Sequence, residues 1–576
     1  AVANLLHDLG RLCADQNLRP LAEIQYRKAL KLYRELAKRN SSVDSPGVAT
    51  TCNNLALLLS DSSTNRKEAE ALYREALKLY RELAKENPSV YGPDVAMTCN
   101  NLANLLRDSS TNRKEAEDLY REVLERYQEL AKGNPSVYGS DVAMTCNNLA
   151  NLLSKSSAGR KEAEDLYRKA LKLRRELAKE NPSVYGSDVA MTCNNLAALL
   201  SDSSTDREEA EDLYREALKL RRELAKENPS VYDPDVAATC NNLATFLKAS
   251  STDREEAEDL YREALKLYRE LAKGNPSVYG SGVAATCNNL ANLWSDSSTN
   301  RKEAEDLYRE ALKLYRELAK ENPSVYSPYV ATTCNNLAIL LKASSVDREK
   351  AEALYQEALK LRRELAKENP SVYGSDVAAT CNNLAVLLSK SSAGRKEAED
   401  LYREALKLRR ELAKENPSVY GSDVAMTCNN LANLLSKSSA GRKEAEDLYR
   451  EALKLCRELA KENPSVYSPY VAITCNNLAN LLSKSSADRE EAEDLYREAL
   501  KLRRELAKES PPVYSPYVAM TCNNLANLLS KSSADREEAE DLYREALKLR
   551  RELAKESPPV YSPYVAMTCN NLANLL

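Results

Sequence analysis

The sequence predicts an all-α fold, an α-solenoid of stacked antiparallel helix pairs. Three observations predict it. A cysteine recurs from Cys52, through Cys99 and Cys146, to Cys569 at a constant interval of 47 residues. A fixed period of that size marks supersecondary units stacked in an array. Within each period, apolar residues recur at helical spacing, and polar or proline-containing stretches separate the two helical runs. Glycine is scarce, at 14 of 576 residues, and Ala, Glu, Lys, Leu and Arg are abundant, which favours helix.

A regular unit runs from Gly92 to Tyr138. Its first helix is expected to start near Pro93, an early helical position where proline's missing N–H costs nothing. In other units Ser precedes that proline, as at Ser327-Pro328, and is expected to act as N-cap. Cys99, Leu102, Ala103 and Leu106 then form one apolar stripe. The polar run Asp108 to Asn112 ends the helix. The second helix opens with a capping-box pattern, Asn112 and Glu115. It carries Ala116, Leu119, Tyr120, Val123, Leu124, Tyr127 and Leu130, with Glu117 and Arg121 as an ion pair on its wet side. Asn134-Pro135 ends it, because the residue before proline is pushed out of the α region. The segment from Pro135 to Asp141 reads as a linker.

Three stretches follow. Residues 1–40 read as a divergent, cap-like N-terminal helical repeat. Residues 41–561 are the regular repeats. Residues 562–576 read as an unpaired first helix of a further repeat. Counting both helix types gives 25 helices. The stripe of that last helix, with Leu572 and Leu576, is expected to meet another element. A longer array would supply it, or the start of another copy stacked head to tail.

These residues resemble a tetratricopeptide repeat array of the long-period type found in kinesin light chains and many bacterial proteins. Cys52, Leu55, Ala56 and Leu59 match the first helix, and Ala69, Tyr73 and Ala76 the second. The light-chain flavour lies in DVAMTCNNLA and EAEDLYREAL. The chain departs by one extra residue in the loop between the helices and by a longer segment before the next unit. The resemblance implies a right-handed superhelix whose first helices line a concave groove. It implies a protein-interaction scaffold that binds an extended peptide or protein there.

The paired asparagines are the candidate groove residues. Of the twelve pairs, the candidates are the first members at Asn53, Asn100, Asn147, Asn194, Asn241, Asn288, Asn335, Asn382, Asn429, Asn476 and Asn523. The next groove position is often asparagine too, at Asn104, Asn151, Asn292, Asn433, Asn480 and Asn527. Amides suit a peptide main chain, and they suit equally a ladder that satisfies itself between neighbouring helices. Both readings stand at this level. Near-identical repetition also allows a structural fibre or filament built end to end.

Other chemistries find little support. The charges nearly balance, 83 Lys+Arg against 87 Asp+Glu, which argues against nucleic acid as partner. No apolar run is long enough for a membrane helix. One cysteine per unit and a single histidine, His7, do not make a metal site, so the cysteines read as small buried apolar residues. No catalytic residue, cofactor or metal is expected. The loop at Ser201 lacks the glycine and spacing of a calcium loop. The repeated tyrosines from Tyr91 to Tyr561 read as pins for the linkers, and Phe246 and Trp294 as packing. Asn40-Ser41-Ser42 is the one glycosylation sequon. The cysteine usage points to a cytoplasmic location, and a filament would instead be extracellular.

Overall fold

In a computed structural model the chain divides into two units, Ala1–Leu293 and Trp294–Leu576. The structure describes all residues except 17, 39–40, 61–64, 108–111, 157, 202, 204, 250–252, 296–299 and 343–346. The sequon asparagine, Asn40, most of the polar run after Arg107, and Asp202 and Ser204 of the calcium-like loop therefore lie outside the described residues. Among the described residues there are 25 helices and no strand. They include α1 (Val2–Asp15), α2 (Arg19–Ala37), α5 (Pro88–Leu106), α6 (Arg113–Gly133), α7 (Pro135–Leu153) and α8 (Arg160–Glu180). In each unit consecutive helices pack against one another, forming an all-α solenoid.

The core is the stripe set by the repeat. Cys99, Leu102, Ala103 and Leu106 of α5 are buried, with Ala116, Tyr120, Val123 and Tyr127 of α6. Small residues stand where backbones approach, and tyrosine and leucine fill the space between. Burial pushes the Cys99 thiol up to about 12, so it remains a protonated, inert packing group.

Helix entry differs from the expectation. The first helix starts at Pro88, five residues before Pro93, so the supposed linker forms its first turns. Asn87 (φ −135°, ψ 73°) is extended, as a residue before proline prefers, and Pro88 takes the first helical position. Pro93 lies inside the helix and removes one backbone bond; the exposed Ser89 carbonyl can turn to water instead. Ser327 likewise lies within a helix, Pro323–Leu341, and is no N-cap. The capping box is not made either. Asn112 sits at the N-cap of α6 but makes no side-chain cap bond.

Another residue caps the first helices. Arg113, at the start of α6, donates Nη2 to the carbonyl of Leu152 near the end of α7, at 2.8 Å. Arg348 does the same to Leu387 at 3.0 Å. A cation at a helix C-terminus satisfies an orphan carbonyl and opposes the helix dipole.

A second inter-repeat contact lies on the wet side of the second helices. Arg121 pairs with Glu117 of its own helix, as expected. It also forks onto Glu162 of α8, at 2.6 and 2.9 Å. Arg27 to Glu68 and Arg403 to Glu444 repeat this geometry. These pairs are more than two-fifths exposed, so each contributes less than about 1 kcal/mol.

Candidate peptide-binding face

The first helix of each repeat presents one uncovered face. On α5 it consists of Val90, Asp94, Met97, Asn101 and Asn104, at alternating steps of four and three. Val90 is 60% and Met97 39% exposed. The paired asparagines sit at one edge of this face and divide into two roles.

The first asparagine of each pair is mostly turned into the stack. Asn53, Asn100, Asn147, Asn335, Asn382, Asn476 and Asn523 are buried. Each accepts an amide proton from the second asparagine of the following repeat. Asn148 donates to Asn100 at 3.3 Å, Asn195 to Asn147 at 3.2 Å, and Asn524 to Asn476 at 3.3 Å. Asn194 and Asn241 are half-buried and accept in the same way. Asn288 is also half-buried. Asn429 departs: its amide donates to Thr474 Oγ1 at 2.7 Å. The ladder reading of the amides thus describes most of these side chains.

The asparagines one turn later are arranged differently. Asn433, Asn480 and Asn527 are exposed, and Asn104, Asn151 and Asn292 are half-buried. In five of these repeats a buried tyrosine fixes the side chain. Tyr120 Oη donates to Asn104 Oδ1 at 2.6 Å, and Tyr167 to Asn151 at 2.5 Å. Tyr449, Tyr496 and Tyr543 hold Asn433, Asn480 and Asn527 at 2.5–2.6 Å. The tyrosine takes one lone pair of the carbonyl, and at Asn527 the amide of Asn571 takes the other at 3.3 Å, so the held side chain keeps its amide nitrogen as its donor. Where Thr245 replaces asparagine, its hydroxyl bonds Tyr261 at 2.8 Å. The sequence singles out these amides but does not by itself reveal the tyrosine that orients them. The signal was available: tyrosine follows the asparagine by 16 residues in each case.

The other candidates take simpler places. Leu576 is 72% exposed and Leu572 is half-buried on the last helix, Pro558–Leu575. Among the described residues no three His, Cys, Asp or Glu side chains converge as metal ligands would. No described helix is long and apolar enough to cross a membrane.

A further set of side chains was not foreseen. Arg174, Arg221, Arg362 and Arg409, on second helices, are buried against the next first helix. Arg174 donates to the Asp188 carbonyl at 3.0 Å and to Thr192 Oγ1 at 2.5 Å, with Asp188 Oδ1 at 3.8 Å from Nη2. Burial pulls its pKa down, and Asp188 opposes that shift. Where glycine replaces the aspartate, as at Gly282, a tyrosine ring takes the space. A Cβ on Gly282 would meet Tyr268 at 2.7 Å.

Eleven stretches match the tetratricopeptide repeat family: residues 48–88, 95–134, 142–182, 189–229, 236–275, 283–323, 330–370, 377–417, 424–464, 471–512 and 518–559. This chain belongs to the tetratricopeptide repeat family. It is therefore a protein-interaction scaffold, a class that is in general not enzymatic. No curated protein matches the sequence. Among solved structures, yeast Tom70 is similar over all of this chain and 95% of its own, at 15% identity and a TM-score of 0.32. Ypp1 is similar over 97% and 92%, at 12% identity and 0.42. A human IFIT1 dimer with PPP-AAAA is similar over 79% and 90%, at 17% identity and 0.36. Those values are too low for the roles of these proteins to bear on this one.

Proposed function

We propose that this tetratricopeptide repeat protein holds an extended peptide segment of a partner protein along the uncovered faces of its first helices. The observation that carries the reading is the set of exposed amides whose carbonyls are held by buried tyrosines. A donor fixed before binding loses little freedom when it meets a ligand carbonyl. Packed helices lie about 8–10 Å apart, and an extended polyproline-type chain repeats every three residues, about 9.3 Å. One amide per repeat therefore suits one main-chain carbonyl in every three residues of ligand.

The test uses random twelve-residue peptides displayed against the intact chain, with the selected peptides then titrated by fluorescence anisotropy. Asn433→Thr, Asn480→Thr and Asn527→Thr together keep the tyrosine bond, as Thr245 does, and delete the donors. Binding should weaken at least about tenfold, the equivalent of ~1.4 kcal/mol. Selected peptides that bind the triple variant unchanged would sink the reading.

A further inference from the structure

Six first helices carry an aspartate at the same place on the uncovered face: Asp94, Asp141, Asp188, Asp235, Asp376 and Asp423. Four of them face a buried arginine of the preceding second helix, with nitrogen–oxygen distances of 3.7–3.9 Å. The other two do not. Opposite Asp94 stands Tyr80, and opposite Asp141 stands Tyr127. Neither aspartate has an ion pair among the described residues, and burial alone pushes both carboxyls up.

A second observation lies beneath Asp94. In the arginine-bearing repeats the guanidinium reaches a buried threonine: Thr192 from Arg174, Thr239 from Arg221 and Thr380 from Arg362. The equivalent threonine at the Asp94 site is Thr98. It is completely buried, and its hydroxyl has no hydrogen-bond partner. Tyr80 does not serve it, because the Tyr80 hydroxyl bonds Thr50 at 2.8 Å. That bond matches the one from Arg362 Nη2 to Thr332, so tyrosine replaces one arm of the arginine and leaves the other arm's place unserved. The arginine-bearing repeats thus show what completes this arrangement, a cation, which the Asp94 and Asp141 repeats lack; at Asp141 the threonine hydroxyl is already used, Thr145 donating to the Asp141 carbonyl at 2.8 Å, so there the carboxylate alone is unserved.

We propose that Asp94 and Asp141 receive two basic side chains of the bound peptide. This rests on the reading of the uncovered face as a peptide groove, since Asp94 and Asn104 share α5, and Asp141 and Asn151 share α7. The spacing of neighbouring helices places the two basic residues about three apart in an extended ligand. The ligand class is therefore a peptide with arginine or lysine at positions i and i+3.

The probes are fluorescein-labelled twelve-residue peptides of alanine, serine and proline. One carries arginine at i and i+3, one glutamate at those places, and one neither. The full chain should bind the arginine peptide at least about tenfold more tightly than the neutral one, with an advantage that shrinks as salt rises. Asp94→Asn with Asp141→Asn should remove the advantage. Tyr80→Arg with Tyr127→Arg should remove it too, by filling both sites from within, and should raise the melting temperature. The groove reading has its own arm: Asn104→Thr with Asn151→Thr should weaken the neutral peptide. Arginine content and Asp94→Asn/Asp141→Asn without effect, but with the threonine variants weakened, would overturn the proposal and leave the groove standing. An arginine advantage that survives Asp94→Asn/Asp141→Asn also overturns it. Absence of binding by every probe overturns both.

Discussion

Asn148 donates its side-chain amide to the buried Asn100 of the preceding repeat at 3.3 Å, and Asn195 does the same to Asn147. These bonds run between repeats, so they bear on stacking. Asn147→Ala removes an acceptor and leaves the Asn195 donor unserved beside a buried site. It should cost about 1–2 kcal/mol. Asn151→Thr, at a half-buried position where threonine can keep the tyrosine bond as Thr245 does, should stay within about 0.5 kcal/mol of zero. The shift in urea midpoint for each variant checks the contrast.

Tyr355 offers the reverse experiment. It is completely buried, and its hydroxyl has no hydrogen-bond partner. Sixteen residues before it stands Ile339, where Tyr120 and Tyr167 find Asn104 and Asn151. Ile339→Asn should supply the acceptor and stabilise the repeat by about 1 kcal/mol. Ile339 is 39% exposed, so little apolar burial is lost. A midpoint that falls would show that the asparagine fails to reach the hydroxyl.

The repeat, the helix count and the buried stripe were legible because they follow from periods of 47 and 3.6 within one chain segment. Pro88 and Pro93 carry the same local signal, so the helix start was not decidable from it; the structure takes the earlier one. The pairing of Arg121 with Glu162 was hidden for another reason. A bond across 41 residues depends on how repeats stack, which no single repeat encodes. Arg174 was harder still. An arginine on a helix reads as a wet residue, and only the Thr192 and Asp188 of the next helix make its burial tolerable. The repeated amides were visible in the sequence, but their division into stacking amides and amides held by a tyrosine needed the positions of Tyr120 and Asn100.

His7 makes the first repeat sensitive to pH. Thr51 spends its hydroxyl proton on the Gly47 carbonyl, so it accepts from His7 Nδ1 at 3.0 Å. Asn54 then donates to Nε2 at 3.4 Å, which requires a neutral ring. Burial, the largest cause, holds the His7 pKa below its ordinary 6.5, with Asp8 raising it and Arg11 lowering it. The folded state therefore binds its proton less readily than the unfolded chain. Stability is full above about pH 6.5 and is lost as pH falls from there toward the folded value. Hydrogen-exchange protection of α1 should fall between pH 7 and 5.5, as those values bracket His's ordinary pKa of about 6.5. His7→Gln should flatten that dependence.

Arg121 and Arg174 separate two kinds of ion pair. Arg121 and Glu162 are 42% and 46% exposed, so water already serves both charges. Arg121→Ala should cost less than about 1 kcal/mol, and that cost should vanish in concentrated salt. Arg174 is 2% exposed and fills its site with hydrogen bonds to Thr192 and the Asp188 carbonyl. Arg174→Ala opens a void and leaves Asp188 without its cation. It should cost about 3–5 kcal/mol, with little dependence on salt. Arg174→Tyr tests whether the site needs charge or only volume, because Tyr127 already occupies the equivalent place in the preceding repeat. The tyrosine variant should recover most of the loss. Urea midpoints at low and high salt read both effects. Equal salt dependence for Arg121→Ala and Arg174→Ala would show that the buried arginine acts as a surface charge after all.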